Sequence, residues 1–392
     1  MRIFCGRLVN PGSVAQDRVV EISGRRIVSI GPRGDKKPAG EDIDLGNRTV
    51  IPGLIDVHCH GGMGDDFSLG RIDKAPAYLA RRGTTSFLAT NYPMEREVYI
   101  NGLRGLKKKY HEPHFTGARM LGVHLEGPFL NPGHGAQSPG LCWPPTKENV
   151  DFLLAELGDA LKMITIAPEL PGAIDAIQCF EAKGIVTSAG HTEADRTHIQ
   201  AAYEAGLRHV THILNAMEVP AGPTRGVRGI GCAEFCLGSD DMTADVMADA
   251  GGRHLCTEWL KIVFRCLGPR RLALISDAMP IAGLPPGPYP TGDGRTIRLT
   301  AGQDVTFIDD VLLGGSVMMM MDTVKNLMSH LGLGLHEVIA CGTSTPAKLL
   351  KIDGRKGSLG PGKDADLVAL DDRMQVCLTM VEGKIAYQQA SE

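Results

Sequence analysis

Six residues with metal-binding or acid–base side chains stand at the ends of apolar segments in this 392-residue chain. The first two are His58 and His60, in the segment DVHCHG. Side chains two positions apart in an extended strand point to the same side, so both imidazoles can face one point. Neutral imidazole is the commonest metal ligand in proteins. Alone, however, this pair is weak support for a metal site, because a structural pair of histidines has the same spacing.

The other four residues each follow a different apolar run. They are Glu126, His191, His212 and Asp277. A buried carboxylate is unfavourable unless it is paired or bound to a metal ion. Core packing explains one such residue but not the same arrangement in five segments, so the pattern predicts a metal site. His124 shares a strand face with Glu126, and a packing or supporting role is favoured for it over ligation.

The elements that must position these residues alternate between strands and helices. Eight apolar, β-branched runs recur, with helical patterns between most of them: Thr49–Val57, Thr84–Thr90, Arg119–Glu126, Lys162–Ala167, Gly184–Ala189, Arg208–His212, Met242–Met247 and Arg271–Ser276. This alternation predicts parallel βα units, and eight strands close a TIM barrel. An open doubly wound sheet is the alternative, but no GxGxxG motif follows the first strand. In a barrel the six side chains would converge on the face where the strands end.

Both ends of the chain read as short strands joined by turns. At the start these strands are Met1–Leu8, Arg18–Ile22 and Arg26–Ile30; at the end they are Asp366–Leu370, Val376–Val381 and Lys384–Tyr387. Chain termini often lie close together. We therefore predict an α/β protein, a (β/α)8 TIM barrel with a small β-sandwich domain built from both termini. The small domain would span 1–51 and 357–392, and the barrel 52–356.

Composition excludes several classes of partner. The net charge is −4, with 43% hydrophobic and 22% charged residues, so no basic excess favours nucleic acid or an anionic membrane. No apolar run approaches the roughly 18 residues of a membrane helix, and the N-terminus lacks the pattern of a signal peptide. The ten cysteines are scattered without a CxxC pair, which is typical of reduced thiols. We expect a cytoplasmic enzyme with a small-molecule substrate.

The predicted ligand set indicates a type of reaction. Histidines and a carboxylate bind a borderline divalent ion such as zinc, iron, manganese or cobalt. Such an ion activates water and polarises a carbonyl oxygen. Asp277 is placed to act as general base and then to pass the proton to a leaving amine. These parts fit hydrolysis of an amide or a related C–N bond.

At these residues the sequence resembles the amidohydrolase superfamily and, within it, the N-acetylglucosamine-6-phosphate deacetylase family. The motifs run in order as PGLIDVHCHG (52–61), HLEGPFLNP (124–132), SAGHT (188–192), THILNAM (211–217), SDAM (276–279), LGGS (313–316) and PGKDADLVALD (361–371). The resemblance implies a (β/α)8 barrel with a small β domain. It also implies release of acetate from a 6-phosphorylated N-acetyl amino sugar, a step of amino-sugar catabolism.

The resemblance further implies roles for single residues. Glu126, His191 and His212 would hold the principal metal ion, zinc or iron. His58 and His60 would allow a second ion, and Asp277 would be the acid/base. The substrate contacts implied are to His134, Asn215, Ala216 and Arg225. In some members the arginine reaches the substrate phosphate across a homodimer interface.

Two segments depart from the family pattern. The usual ADG-x-H reads ADAGGRH (248–254), so Gly252 stands nearest the family histidine. Either Arg253 or His254 replaces that histidine's contact with substrate, or the contact is absent. The usual REPG after NAM reads TRGVRG (224–229), which keeps Arg225 but not Glu-Pro. The alternatives to the implied activity are an amidohydrolase for a different N-acetyl amino sugar or N-acyl substrate, and a catalytically silent scaffold.

Overall fold

The computed structural model describes residues 1–112, 116–222 and 224–390, and its elements are numbered here along the chain. Eight parallel strands follow one another in chain order around a barrel: β6 (Leu54–Cys59), β9 (Thr84–Asn91), β10 (Arg119–Glu126), β11 (Leu161–Ile166), β12 (Val186–Ala189), β13 (His209–Val210), β14 (Thr243–Val246) and β15 (Leu272–Leu274). Just beyond β15, Ala278 forms a parallel bridge with Cys59 of the first strand. The predicted (β/α)8 barrel is confirmed.

The helices lie outside the barrel strands. They are α1 (Ala75–Arg81), α2 (Arg96–Tyr110), α3 (Lys147–Leu157), α4 (Ala173–Ala182), α5 (Arg196–Glu204), α6 (Cys232–Gly238), α7 (Thr257–Arg271), α8 (Met320–Leu331), α9 (Leu335–Val338) and α10 (Ser344–Leu349). Side-chain oxygens of Thr146 and Asp195 cap α3 and α5 by accepting backbone N–H bonds. Among the helices described, none is long and apolar enough to cross a membrane.

The barrel strands are apolar because both of their faces are buried. In β11, for example, every residue except Lys162 is buried, between the helices outside and the barrel interior. Inside the barrel, Ile55, Val57, Leu88 and Met163 belong to one packed cluster. Continuous apolar runs are what buried parallel strands require. A strand therefore becomes polar where it leaves this packing, at its C-terminal end.

The two ends of the chain join in one hydrogen-bonded sheet. Its strands are β1 (Arg2–Asn10), β2 (Ser13–Ser23), β3 (Arg26–Pro32), β4 (Ile43–Asp44), β5 (Thr49–Pro52), β20 (Leu367–Leu370), β21 (Val376–Val381) and β22 (Lys384–Gln388). Ile3 and Ile27 share a core cluster with Leu367 and Met380, so strands from both ends of the chain pack around one hydrophobic core. The small β domain is confirmed. Its limits, 1–51 with 357–392 against 52–356, stay a proposal, and residues 391–392 lie outside the described part.

The predicted strand Thr49–Val57 is divided between the two domains. It forms β5 in the small domain and β6 in the barrel, with Gly53 between them. The Gly53 N–H donates to the Asp366 carbonyl at 3.0 Å, and a Cβ at Gly53 would lie 2.1 Å from Thr85 Oγ1. The apolar pattern continues through the junction because both strands are buried, so the pattern alone does not show the change of sheet.

A second difference is a four-stranded antiparallel sheet inserted after the last barrel strand. It comprises β16 (Gly287–Pro290), β17 (Thr296–Leu299), β18 (Val305–Ile308) and β19 (Leu312–Ser316). Its first strand carries two prolines and the others are short, which weakens any pattern in the sequence. Two further short strands, β7 (Gly61–Gly62) and β8 (Asp65–Asp66), pair directly after the first barrel strand.

Lys356 ties the C-terminal segment of the small domain together. Its side chain is 1% exposed, and its ammonium pairs with the buried carboxylates of Asp366 and Asp364. Burial outweighs the pairing with Lys356 and raises the pKa of Asp366.

We predict that Lys356→Met lowers the free energy of unfolding by about 3 kcal/mol, because it leaves the buried carboxylate of Asp366 without its cationic partner, whereas Asp364 keeps Arg26 at 2.9 Å. Urea denaturation measures this loss. Lys147→Met is the matched control: Lys147 pairs with Asp151 on the exposed face of α3, and its loss should change stability by less than about 1 kcal/mol. Equal stability of the two variants would show that the buried pair has no special role.

Candidate active site

The six polar residues at the strand ends meet at the C-terminal end of the barrel. His58 lies in β6 and His60 directly after it, and Glu126 is the last residue of β10. His191, His212 and Asp277 follow their strands by two or three residues, with φ of 49°, 31° and 46°. Non-glycine residues rarely adopt positive φ, and such strain gathers at functional sites. Here the left-handed turns direct three side chains back over the barrel.

Glu126 stands at the centre of this group. Its Oε1 lies 2.9 Å from Nε2 of His191 and 3.1 Å from Nε2 of His212. Its Oε1 is 3.5 Å from Nε2 of His58, and its Oε2 is 3.3 Å from Nε2 of His60. Asp277 Oδ1 adds a contact to Nε2 of His60 at 3.1 Å. The carboxylate therefore belongs to two overlapping groups, His58–His60–Glu126 and Glu126–His191–His212, either of which could hold a metal ion.

The outer nitrogens of three histidines test whether a metal ion fits here. Nδ1 faces a backbone carbonyl in each: His60 toward Thr90 at 3.3 Å, His191 toward His134 at 3.0 Å, and His212 toward Asn215 at 3.2 Å. A carbonyl can only accept, so each Nδ1 carries a proton. When a metal ion takes the place of the second proton, each ring is neutral and turns an Nε2 lone pair inward.

These inward lone pairs need a cation between them. Nε2 of His191 and Nε2 of His212 lie 3.0 Å apart, too close for two lone pairs with nothing between them. The donor set of imidazole nitrogens and one carboxylate is that of zinc and iron sites. The residues present therefore fit a divalent ion.

The charges of the cluster lead to the same conclusion. Burial lowers the pKa of His60, but hydrogen bonds to Asp277 and Glu126 outweigh it and raise that pKa to about 10. Burial also lowers the pKa of His212, but the hydrogen bond to Glu126 outweighs burial and raises that pKa to about 9. Burial opposes ionisation of Glu126, yet the surrounding histidines hold its pKa well below the usual range. Two buried carboxylates thus attract positive charge, which a metal ion would supply.

Buried carboxylates beneath the cluster fix the backbone of two histidines. Asp245 accepts the backbone N–H of His212 and pairs through Oδ2 with Nε2 of the buried His209 at 3.0 Å. Asp56 accepts the N–H of His58 at 3.2 Å and the Ser276 hydroxyl at 2.5 Å. Burial raises the pKa of Asp56 to about 6. These contacts hold the ends of β6 and β13, and therefore the imidazoles, in place.

His124 packs beside the ligands and supports them, as the sequence predicts. Its Nδ1 donates to the Val57 carbonyl at 3.0 Å, and its Nε2 accepts from the Thr165 hydroxyl at 2.9 Å. Its ring packs edge-on against His58, with 4.8 Å between centroids. Burial holds the pKa of His124 well below its usual value. Both nitrogens are occupied, so His124 is a neutral wall of the site and not a ligand.

A cavity of about 440 Å³ opens above the cluster. Asn215, Ala216 and His254 line it together with His60, Glu126, His191, His212 and Asp277. Nδ1 of His254 donates to Asp249 at 3.1 Å, while its buried Nε2 has no partner among the described residues. Gly252, with φ of 62°, makes the turn that brings His254 here. Arg253 and His254 are the two candidates to replace the family histidine, and of these His254 lines the cavity.

Two of the residues expected to bind substrate are placed differently. The His134 side chain turns toward Glu193, 3.4 Å away, and its backbone carbonyl holds His191. Arg225 is exposed in the loop that follows Met217, and it does not belong to the cavity wall. A single chain thus leaves its Arg225 outside the cavity.

The sequence reasoning missed part of the cavity wall. Tyr92 and Gln137 line the cavity from two loops, and Thr291, Asp293 and Arg295 line it from the turn between β16 and β17. The segment TGDGRT (291–296) contains an Asp-Gly pair, a turn signal that could have indicated a hairpin. Nothing in the sequence places that hairpin over the barrel.

Comparison with known proteins agrees with this geometry. The pattern of the amidohydrolase family matches residues 49–255 and 295–386. The N-acetylglucosamine-6-phosphate deacetylase of Bacillus subtilis (strain 168) is 32% identical over 387 residues, covering 97% of this chain and 95% of the relative. An N-acetylgalactosamine-6-phosphate deacetylase of Escherichia coli O157:H7 is 30% identical over 341 residues, covering 86% of this chain and 87% of the relative.

A solved structure shows the same architecture. It is a mutant of the Mycobacterium smegmatis N-acetyl-D-glucosamine-6-phosphate deacetylase in complex with N-acetyl-D-glucosamine-6-phosphate. Its TM-score is 0.88 at 29% sequence identity, and the match covers 98% of this chain and 99% of that one. The similarity therefore includes both the barrel and the small β domain.

The shared position of Glu126 generates a prediction about metal content. Glu126→Gln should abolish stoichiometric metal binding, because Glu126 belongs to both groups of ligands. His58→Asn should lose at most one ion, since Glu126, His191 and His212 stay intact. Metal analysis of the purified, reconstituted proteins measures this difference. Glu193→Gln, at an exposed carboxylate beside His134, is the control. Full metal content in Glu126→Gln would contradict the assignment.

Proposed function

Since this chain belongs to the amidohydrolase family, we propose that it removes acetate from N-acetylglucosamine-6-phosphate in amino-sugar catabolism. One observation carries the proposal. Two overlapping groups of metal-ligand side chains, with Asp277 beside them, form the floor of a cavity large enough for a small-molecule substrate. The related enzymes act on such phosphorylated amino sugars, by name and in one substrate complex.

We assign the residues as follows. Glu126, His191 and His212 hold the principal divalent ion, and His58 and His60 with Glu126 offer a second position. Zinc or iron suits this donor set, with one or two ions in each subunit. When bound, the ion supplies Lewis-acid polarisation of the substrate carbonyl.

Asp277 moves the proton in this proposal. Burial disfavours its charge, but His58 and His60 lower its pKa below the usual value, so the carboxylate is ionised and able to accept. It takes a proton from the attacking water while the new C–O bond forms. It then donates that proton to the amide nitrogen, the C–N bond breaks, and acetate and a free amine result.

The Asp277 backbone is fixed for this task. Its N–H donates to the His58 carbonyl at 2.9 Å, and its own carbonyl accepts from Ser316 at 2.9 Å. The carboxylate is therefore attached both to the first barrel strand and to β19. Such rigidity keeps the base in the same geometry for both proton transfers.

The other residues bind the substrate. The unpartnered Nε2 of His254 and the side-chain oxygen of Asn215 face an otherwise buried region, and Ala216 lies beside them. Both atoms are acceptors while His254 is neutral, so a sugar hydroxyl could donate to them. Arg225 would reach the phosphate of a neighbouring subunit's site in a homodimer, which suits its exposed position. We keep His134 as a contact for the substrate carbonyl that requires its side chain to turn from Glu193.

The cellular setting is also part of the proposal. All ten cysteines lie in the described part and none forms a disulfide, which suits a reducing cytoplasm. The second candidate is an amidohydrolase for another N-acetyl amino sugar or N-acyl substrate. The altered segments at 224–229 and 250–254 favour it, because both lie among residues that would recognise substrate.

Replacing the general base should separate catalysis from metal binding. We expect Asp277→Asn to lower kcat by about 10²–10⁴-fold, the usual contribution of general acid–base catalysis, with metal content retained. Acetate release and metal analysis on the same samples measure both effects. Asp159→Asn, at an exposed carboxylate, should be fully active. Full activity in Asp277→Asn would exclude this role for Asp277.

A substrate comparison tests the activity itself. The metal-reconstituted protein should release acetate from N-acetylglucosamine-6-phosphate with a kcat/KM at least about 100-fold above that for free N-acetylglucosamine, because a dianionic phosphate adds charge-assisted hydrogen bonds. N-acetylgalactosamine-6-phosphate, assayed beside them, reports the preferred epimer. Equal turnover of the phosphorylated and free sugars would favour the second candidate.

A further inference from the structure

The inserted hairpin contributes a polar cluster to the cavity that has no role in the chemistry above. Thr291, Asp293 and Arg295 stand in the turn between β16 and β17 and line the same cavity as Glu126 and Asp277. Among the described residues of the cavity wall, Arg295 is the sole lysine or arginine. The cluster can therefore touch the part of a substrate that extends beyond the metal ligands.

Asp293 holds the other side chains of this cluster in place and does not itself bind a ligand. Its side chain is 3% exposed, and its Oδ2 lies 2.8 Å from Nε and 2.6 Å from Nη2 of Arg295. The same oxygen accepts the Ser138 hydroxyl at 2.9 Å, and Oδ1 accepts the Thr291 hydroxyl at 2.5 Å. Burial raises the pKa of Asp293, but these hydrogen bonds outweigh it and hold that pKa below the usual value. Its oxygens are fully used, so it orients Arg295 and ties the hairpin to the loop that carries Ser138.

Arg295 keeps hydrogen-bond donors free for a ligand. Nε donates to Asp293, Nη2 lies at ion-pair distance from the same oxygen, and Nη1 makes no hydrogen bond within the described part of the chain. A guanidinium has five N–H donors in one plane, so fixing one edge leaves the opposite edge pointing in a set direction. The Arg295 side chain is 21% exposed and lines the cavity, so a ligand there can reach the guanidinium.

The pairing with Asp293 decides which oxygen Arg295 suits. A phosphate dianion near this guanidinium would also lie near the Asp293 carboxylate, whose charge repels it. A neutral sugar hydroxyl meets no such repulsion and can accept from Nη1. We propose that Arg295, positioned by Asp293, binds a ring hydroxyl of the substrate sugar and contributes to the choice between sugar epimers. This inference rests on the proposed function, because it requires a sugar substrate.

Kinetics of Arg295→Met test the contact. We expect KM for N-acetylglucosamine-6-phosphate to rise about tenfold or more, which is the loss of a charge-assisted hydrogen bond, with kcat within about threefold of wild type. The ratio of kcat/KM between the glucosamine and galactosamine epimers should also move toward one. Arg298→Met is the matched control: Arg298 lies three residues away on β17, is exposed, and pairs with Asp310 outside the cavity. It should keep the wild-type KM and the wild-type ratio.

Two competitive inhibitors separate a hydroxyl contact from a phosphate contact. Glucose 6-phosphate carries hydroxyls and phosphate, whereas inorganic phosphate carries no sugar. Arg295→Met should weaken inhibition by glucose 6-phosphate about tenfold and leave inhibition by inorganic phosphate within about twofold. A parallel loss for both inhibitors would make Arg295 a phosphate ligand and overturn the proposal. An unchanged KM and unchanged epimer ratio would also overturn it.

A second variant tests whether the rise in KM of Arg295→Met is only a structural effect of losing the pairing with Asp293. Arg295→Lys preserves a positive charge that can pair with Asp293, but it lacks the Nη1 donors of the guanidinium. KM should therefore stay raised even though the ion pair with Asp293 is kept. Full recovery in Arg295→Lys would show that pairing with Asp293 is sufficient and would overturn the hydroxyl contact. If the wild-type protein releases no acetate from any N-acetyl sugar, the proposed function fails and this inference fails with it. An active wild type with normal KM in Arg295→Met overturns this inference alone.

Discussion

The structure depends on one buried carboxylate surrounded by imidazoles. Glu126 is 8% exposed and lies within 3.5 Å of four histidine Nε2 atoms. Such a cluster is stable only if a cation, a metal ion or bound protons, neutralises its charge. Four barrel strands, β6, β10, β12 and β13, contain or lead directly to a candidate ligand, and groups on β9 and β14 fix two of the imidazoles. The positive φ values at His191, His212 and Asp277 are a local strain that this convergence imposes.

Backbone carbonyl groups orient three of the histidines. Three imidazoles donate Nδ1–H to backbone carbonyls: that of Thr90 near the end of β9, and those of His134 and Asn215 in the connections after β10 and β13. The position of the Nδ1 proton in each ring is therefore set by the backbone and not by a neighbouring side chain. Asp56 and Asp245 act one layer below by holding backbone N–H groups. The backbone path of these connections therefore sets the orientation of the candidate ligands, so changes in the loops also change the ligand geometry.

Much of the site could be predicted from the sequence, because residue type and position relative to a strand end are both local properties. A histidine or carboxylate directly after an apolar run marks the mouth of a barrel wherever the strands are parallel and buried. The same reasoning failed where local patterns were ambiguous. Gly53 divides one apolar run between two sheets, which appears only from the pairing of β5 with β20 and of β6 with β9. His254 could not be chosen over Arg253, because the turn at Gly252 decides which of them lines the cavity.

The sequence by itself determined the class of fold, the family resemblance and the chemical character of the ligand set. These follow from hydrophobic periodicity and from residue types at strand ends, which are properties of neighbouring residues. Only the tertiary structure decided that Glu126 is shared by two ligand groups, that His124 is a wall, and that Arg295 stands over the cavity. These relations join residues far apart in the chain, such as Ser138 and Asp293. Packing of whole elements sets such distances, and no local pattern encodes them.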